Sequence, residues 1–176
     1  MSEQKPLVGI LMGSDSDYDV MLEAARALKK FGVSFEMTVS SAHRSPARTA
    51  RYAREARPRG LRVLIIGAGA AAHLAGVVAA ETTLPVIGVP IDSSALKGLD
   101  ALLATVQMPG GIPVATMAIG KAGAKNAGIY AVQILAAADA GLADRLAEYK
   151  KELAAGVEAR AESLRERLAN ELSLKS

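Results

Sequence analysis

Apolar positions along the chain fall into short runs separated by segments of helical spacing. Leu7 to Met12 (LVGILM) is apolar throughout, without alternation, which predicts a strand buried on both faces. Val33 to Val39 is a second strand with β-branched and aromatic residues, and Leu61 to Ile66, Leu84 to Val89 and Val114 to Ile119 are a third, fourth and fifth. Between them, Val20, Met21, Ala24, Ala25 and Leu28 recur at helical spacing, with Ser16 or Asp17 as the cap and Gly32 as the stop. A basic helix follows Pro46 and stops near Pro58-Arg59-Gly60; its arginines at 48, 51, 54 and 57 read as a solvated face. Val77 to Glu81, Leu99 to Val106 and Asn126 to Ala138 complete the helices.

Strands alternating with helices predict an α/β fold with a parallel sheet covered on both faces. In such sheets, ligands bind outside the carboxyl ends of the strands, where the strand order switches. The loops at Gly13, His43, Gly67 and Pro90 are all of that kind and should gather on one edge. From Leu142 the pattern changes. Leu142, Leu146, Tyr149, Leu153, Val157, Leu164, Leu168 and Leu172 form a narrow stripe on a long, otherwise charged helical segment, with Gly156 as a candidate bend. Such a stripe needs a partner, either its own domain or another subunit. The expectation is one domain over residues 1–176, with a core at about 6–140 and a helical extension at about 142–173.

Composition narrows the chemistry. Of 176 residues, 51% are hydrophobic but only 3% aromatic, so the core is built from Ala, Val, Leu and Ile and offers little surface for stacking nucleobases. There is no cysteine, which removes disulfides, thiolate nucleophiles and Cys-based zinc sites. With 2 histidines a His-rich metal centre is improbable too, leaving Mg²⁺ as the metal option. A net charge of +3 with dispersed Lys and Arg suits an anionic small ligand and no nucleic acid. Met1 to Pro6 is polar, and no apolar run reaches the length of a membrane span, so a cytoplasmic protein without membrane contact is expected.

The stretch Val39-Ser40-Ser41-Ala42-His43-Arg44-Ser45-Pro46 concentrates the candidate chemistry. It offers a proton carrier in His43, a fixed cation in Arg44, hydroxyl donors in Ser40, Ser41 and Ser45, and a proline suited to the first turn of a helix. A lone histidine is most often structural, but this one shares a ligand-edge loop with an arginine, and imidazole titrates at roughly 6.5. Gly13-Ser14-Asp15-Ser16-Asp17 resembles a phosphate-cradling turn, though no Gly-Lys-Ser/Thr follows and the same residues serve as helix caps. Gly67-x-Gly69-x-x-Ala72, with Asp92 beyond the next strand, matches the dinucleotide fingerprint; the plainer reading is a tight turn against a small ligand. His73 beyond it reads as structural. Gln107-Met108-Pro109-Gly110-Gly111-Ile112-Pro113 is stiff and apolar, a mobile cover or a subunit contact.

Six segments together resemble one family. They are Met12 to Asp17, Ser41 to Pro46, Ala68 to Leu74, Leu84 to Pro90, Gln107 to Val114 and Asn126 to Gly128, spanning roughly residues 7 to 138 in the family's order and spacing. The chain resembles the bacterial N5-carboxyaminoimidazole ribonucleotide mutases, the catalytic subunit once called phosphoribosylaminoimidazole carboxylase. The resemblance implies a flavodoxin-like, three-layer α/β/α fold, a homo-octamer with the C-terminal helices in subunit contacts, and no metal or organic cofactor. It implies movement of a carboxylate from the exocyclic nitrogen of the substrate to ring carbon four. By the same resemblance His43 is the general acid–base, Ser14, Ser41 and Arg44 hold the 5′-phosphate, and Asp17 holds the ribose hydroxyls. Ser16 and Ala42 join the binding site, Ala68, Gly69 and Leu74 wall the pocket that retains CO₂, and His73 supports it. A sister class that carboxylates aminoimidazole ribonucleotide directly with CO₂ lacks the Ala72-His73-Leu74 run. Ala70, Ala75, Ser40 and Ser45 depart from the common pattern, the first at a position where glycine is usual.

Overall fold

A computed structural model describes residues 5–173, so Met1 to Gln4 of the polar lead-in lie outside the described residues. It comprises two compact units, one up to Leu135 and one from Ala136. In the first unit, strands β1 (Val8–Met12), β2 (Phe35–Val39), β3 (Val63–Gly69), β4 (Val86–Ile91) and β5 (Ala115–Thr116) form one sheet in the order β2-β1-β3-β4-β5. Every pairing is parallel, with Val8 opposite both Phe35 and Val63. The helices are α1 (Tyr18–Lys30), α2 (Pro46–Ala56), α3 (Leu74–Glu81), α4 (Leu99–Val106) and α5 (Gly120–Ala136). Alternating β and α elements thus give the three-layer parallel fold expected of them.

Burial follows from that layering. β1 and β4 are buried along their whole length, and β3 over all but its last residue, because both faces are covered. Leu11, Leu64, Ile66 and Ala68 share one cluster with Ala53 and Ala56 of α2, Leu74, Ala75 and Val78 of α3, and Ala101 of α4. On the opposite face, Gly67 leaves room for the Met21 side chain of α1, and Gly128 of α5 lies against the Ala24 backbone of α1. With so few aromatic residues, helices approach through Ala and Gly, and the layers lie close.

Several boundaries move. β5 keeps only two of the six residues from Val114 to Ile119 that the sequence pattern assigns to it. It is an edge strand entered from Pro113, which has no N–H to give, and after Met117 donates to the Gly88 carbonyl (2.8 Å) the chain turns off through Gly120 at φ 76° into α5. That helix therefore begins six residues before Asn126, and α3 begins at Leu74, not Val77. The cap of the first helical turn is Ser14, ahead of a short 3₁₀ turn at Asp15–Asp17, and not Ser16 or Asp17 as the sequence pattern suggests. Asp17 makes no side-chain cap for α1 because its carboxylate turns back to the Ser14 backbone.

α2 is fastened to the sheet by a polar cluster. Gly9 leaves space for the Tyr52 hydroxyl, which donates to Glu36 Oε1 at 2.6 Å; Arg59 pairs with the same carboxylate and lies 5.2 Å from the Tyr52 ring centre. Burial pushes the Tyr52 phenol far above its usual value, so it remains a donor. This fixes both ends of the β2–α2 connection. In the second unit, α6 (Ala140–Ser173) runs unbroken through Gly156, and Leu153, Val157, Leu164, Leu168 and Leu172 are exposed along it. No described helix is long and apolar enough to cross a membrane.

Candidate active site

The loop after β1 extends the sheet by one bond before it turns: Gly13 N–H donates to the Gly67 carbonyl at 3.1 Å. Ser14 Oγ then accepts from Ser16 N–H (3.3 Å), while Ser14 N–H donates to Asp17 Oδ2 (3.1 Å), a reciprocal capping box. Asp15 accepts from Ser14 Oγ and Ser16 N–H, both at 3.1 Å. Asp17 is only 5% exposed. Burial raises its pKa above the ordinary 3.8, and the charge of Asp15 adds to that; hydrogen bonds from Ser14 N–H and Ser16 Oγ pull it back.

The loop after β2 divides its hydroxyls between scaffold and site. Ser40 is buried, with its N–H on the Met12 carbonyl (2.9 Å) and its Oγ sharing a 2.8 Å bond with Thr49 Oγ1. Ser45 Oγ donates to the Ser41 carbonyl (3.0 Å) and accepts from Ser41 N–H (3.2 Å). Neither is left for a ligand, contrary to their reading as donors. Ser41 Oγ accepts from Arg44 N–H (3.1 Å) and keeps its own proton to give. Ala42 packs against the core cluster, which leaves His43 and Arg44 projecting into the open, and Pro46 begins α2.

Opposite stands the β3–α3 loop. His73 Nδ1 lies 2.9 Å from His43 Nε2, with the rings edge-on at 77° and their centres 5.0 Å apart. One proton lies between these nitrogens, and the bond cannot survive two protonated rings. Before His73 the chain passes through Ala70 at φ 51° and Ala72 at φ 32°, left-handed values that side chains rarely adopt. Gly69 is required for another reason: a Cβ there would run into the Ser93 hydroxyl and lie 3.2 Å from the Ile91 carbonyl.

The dinucleotide reading fails on this geometry. Gly67, which would have to form the tight turn, lies inside β3 opposite Met12 and Val89, and Gly69 closes the strand. Asp92 is exposed and does not line the cleft.

All eleven site residues drawn from the sequence line one cleft of about 420 Å³: Ser14, Ser16, Asp17, Ser41, Ala42, His43, Arg44, Ala68, Gly69, His73 and Leu74. Gly13, Ala72 and Ser93 complete its wall. Ser93 escaped sequence reading; its one signal was its place just beyond β4, on the same sheet edge as the other loops. Ala68, Ala72 and Leu74 are nearly buried and make an apolar floor. A second lobe of about 460 Å³ shares Gly13, Ser14, Ser41 and Arg44 with the cleft and adds Asp15, Thr38 and Arg48. The arrangement offers an anion seat, a paired imidazole and an apolar surface in one cleft. Among the described residues no group of three or more His, Asp or Glu side chains gathers as a metal site.

Comparison with known proteins places the chain in a family. The family model described as AIR carboxylase matches residues 7–156. A Pyrococcus horikoshii protein named N5-carboxyaminoimidazole ribonucleotide mutase is 55% identical over 166 residues, 94% of this chain and 93% of that protein. A Bacillus subtilis protein of the same name is 57% identical over 147 residues, 84% of this chain and 91% of that one. The crystal structure of a Treponema denticola PurE2 variant superposes with a TM-score of 0.83 at 28% identity, covering 92% of this chain and 99% of that chain.

Two stability effects follow from the strained and buried residues. Ala70→Gly relieves a left-handed side chain at a cost of roughly 1 kcal/mol, and thermal unfolding should shift upward by about 2–4 °C; an unchanged midpoint would show that the loop carries no strain. Asp17 has a raised folded pKa, so its carboxylate is a destabilising charge above that value, and the effect vanishes as pH falls below the ordinary 3.8. Asp17→Asn should therefore raise the unfolding midpoint at pH 7, and the gain should shrink toward pH 3; a pH-independent difference would contradict this.

Proposed function

The chain belongs to the AIR carboxylase family, and from that premise we propose the reaction: it is a mutase of purine biosynthesis that converts N5-carboxyaminoimidazole ribonucleotide to 4-carboxy-5-aminoimidazole ribonucleotide. The observation that carries the residue roles is the gathering of the His43 imidazole, an arginine–serine anion seat and an apolar floor in one cleft on one sheet edge.

In this reading Arg44, Ser14 and Ser41 hold the 5′-phosphate, and Asp17 accepts hydrogen bonds from the ribose hydroxyls with Ser16 and Ala42 beside it. The base then lies toward His43. A proton from the imidazole goes to the exocyclic nitrogen as the N–CO₂⁻ bond breaks, releasing neutral CO₂ and leaving aminoimidazole ribonucleotide. Carbon four attacks that CO₂, and the imidazole takes the proton that carbon four loses. Atoms and charge balance with no co-reactant, and the proton lent in the first half returns in the second. CO₂ has to stay put between the steps, and the nearly buried Ala68 and Leu74 beside Gly69 give it an apolar wall to rest against. His73 acts on His43 as a positioning residue: the 2.9 Å bond holds the ring in place.

Direct carboxylation of aminoimidazole ribonucleotide is not favoured, because the relatives that match at 55–57% identity are named as mutases and this chain carries Ala72-His73-Leu74. We place the enzyme in the cytoplasm as a homo-oligomer, on the octameric plan that the resemblance implies. The absence of cysteine and the exposed apolar stripe of α6 support these two readings in turn.

His43→Asn should lower kcat by about 10²–10⁴-fold, the usual worth of a general acid–base group, while the substrate still binds; retained turnover would sink the mechanism. Product formation from N5-carboxyaminoimidazole ribonucleotide should far exceed that from aminoimidazole ribonucleotide plus bicarbonate, and the reverse preference would move the chain to the sister class. For assembly, the double variant Leu164→Glu with Leu168→Glu should reduce the mass measured by light scattering; an unchanged mass would refute a contact through α6.

A further inference from the structure

Arg44 alone leaves the anion lobe without net charge. Asp15 lines the same lobe, held there by Ser14 Oγ and Ser16 N–H. One arginine against one carboxylate sums to zero, and Asp17 stands on the adjoining wall. A phosphate monoester carries a charge near −2 at neutral pH, so such a lobe would repel it at short range as readily as attract it.

Arg48 changes that balance. It lines this lobe four residues beyond Arg44, and its Nη2 donates to Thr38 Oγ1 at 3.2 Å. That bond ties the side chain to the end of β2, beside the cavity, and leaves the remaining guanidinium N–H groups free to donate. Of the other basic residues of the α2 region, Arg54 pairs with Glu81, Arg59 with Glu36, and Arg57 donates to the Thr83 carbonyl. Among the described residues neither Arg44 nor Arg48 forms an ion pair. The sequence pattern alone had put Arg48 on a solvated face with its neighbours, and the structure separates it from them.

We propose that Arg48, steadied by Thr38, is a second phosphate-binding residue, which together with Arg44 makes the lobe net positive and selects a ribonucleotide over its nucleoside. The proposal rests on the ribonucleotide reading of the site and adds to it a residue that determines specificity. Arg44 seats the phosphate from the His43 side and Arg48 from the β2 side, so the two guanidinium groups flank it.

Calorimetric titration of the full chain with ribose 5-phosphate tests this without catalysis. Arg48→Met should weaken binding by about tenfold to a hundredfold, as expected for loss of a hydrogen bond to a charged group. Arg48→Lys should recover part of that loss, Thr38→Val should show a smaller one, and the weak binding of ribose itself should not change. Should Arg48→Met lose its cooperative thermal transition, Arg48→Lys and Thr38→Val carry the test on the same scale. Binding of ribose 5-phosphate by Arg48→Met within twofold of the unaltered protein, or an equal loss for ribose, would overturn the proposal; so would failure of the unaltered protein to bind ribose 5-phosphate. An unaltered protein that binds the sugar phosphate through Arg48 yet does not convert N5-carboxyaminoimidazole ribonucleotide would sink the reading of function and leave this one standing.

Discussion

β1 has β2 on one edge and β3 on the other, and α1 and α3 leave their strands toward opposite faces of the sheet. Two loops that start side by side must then diverge, and a crevice opens between them at the carboxyl ends of the strands. Gly13 N–H on the Gly67 carbonyl is the last rung before they part. The cleft depends on that divergence: one wall is the Ser14–Asp17 turn, the other is Ala68 to Leu74, and the loop after β2 closes the end with His43.

Close packing gives the crevice its shape. Gly67 lets Met21 lie flat on β3, and Gly69 lets the Ser93 loop stand against the strand end, so the floor sits deep and its walls are backbone and methyl groups. A chain with so few aromatic residues has little else to build with, and the result is a floor of small apolar side chains. Polar fixing does the complementary job. Tyr52, Glu36 and Arg59 hold α2 to β2, while Ser40–Thr49 and Ser45–Ser41 lock the loop between them. Rigid support on both sides lets His43 project into the open and still meet His73 at 2.9 Å.

Where local pattern and global fold agree, the sequence was readable. Apolar runs mark the strands, glycine and serine mark their ends, and the rule that ligands bind at the carboxyl ends of strands brings the loops together. What stayed hidden was set by contacts across sequence distance. Ser40 and Ser45 look like Ser41 on paper, and only the Thr49 hydroxyl and the Ser41 carbonyl show that they are already engaged. Arg48 looks like Arg51 and Arg54, and only Thr38 distinguishes it. Ser93 has no motif of its own. The glycine fingerprint misled because spacing cannot tell a turn from a strand end, whereas register can: Gly67 has partners on both sides.

The features that cost stability lie where the chemistry is proposed. Ala70 and Ala72 take left-handed backbone angles in the loop that presents His73, and Asp17 keeps a carboxylate in a buried wall. Each breaks a rule that the rest of the fold obeys, and such exceptions concentrate at functional sites. Their placement follows from geometry. In the proposed roles, a floor of small residues needs the chain to turn sharply, and an acceptor for sugar hydroxyls sits inside the wall that the sugar would cover. The buried core of β1, β3 and β4 supplies the stability that offsets both, which is why the strain can persist within a single cooperative sheet.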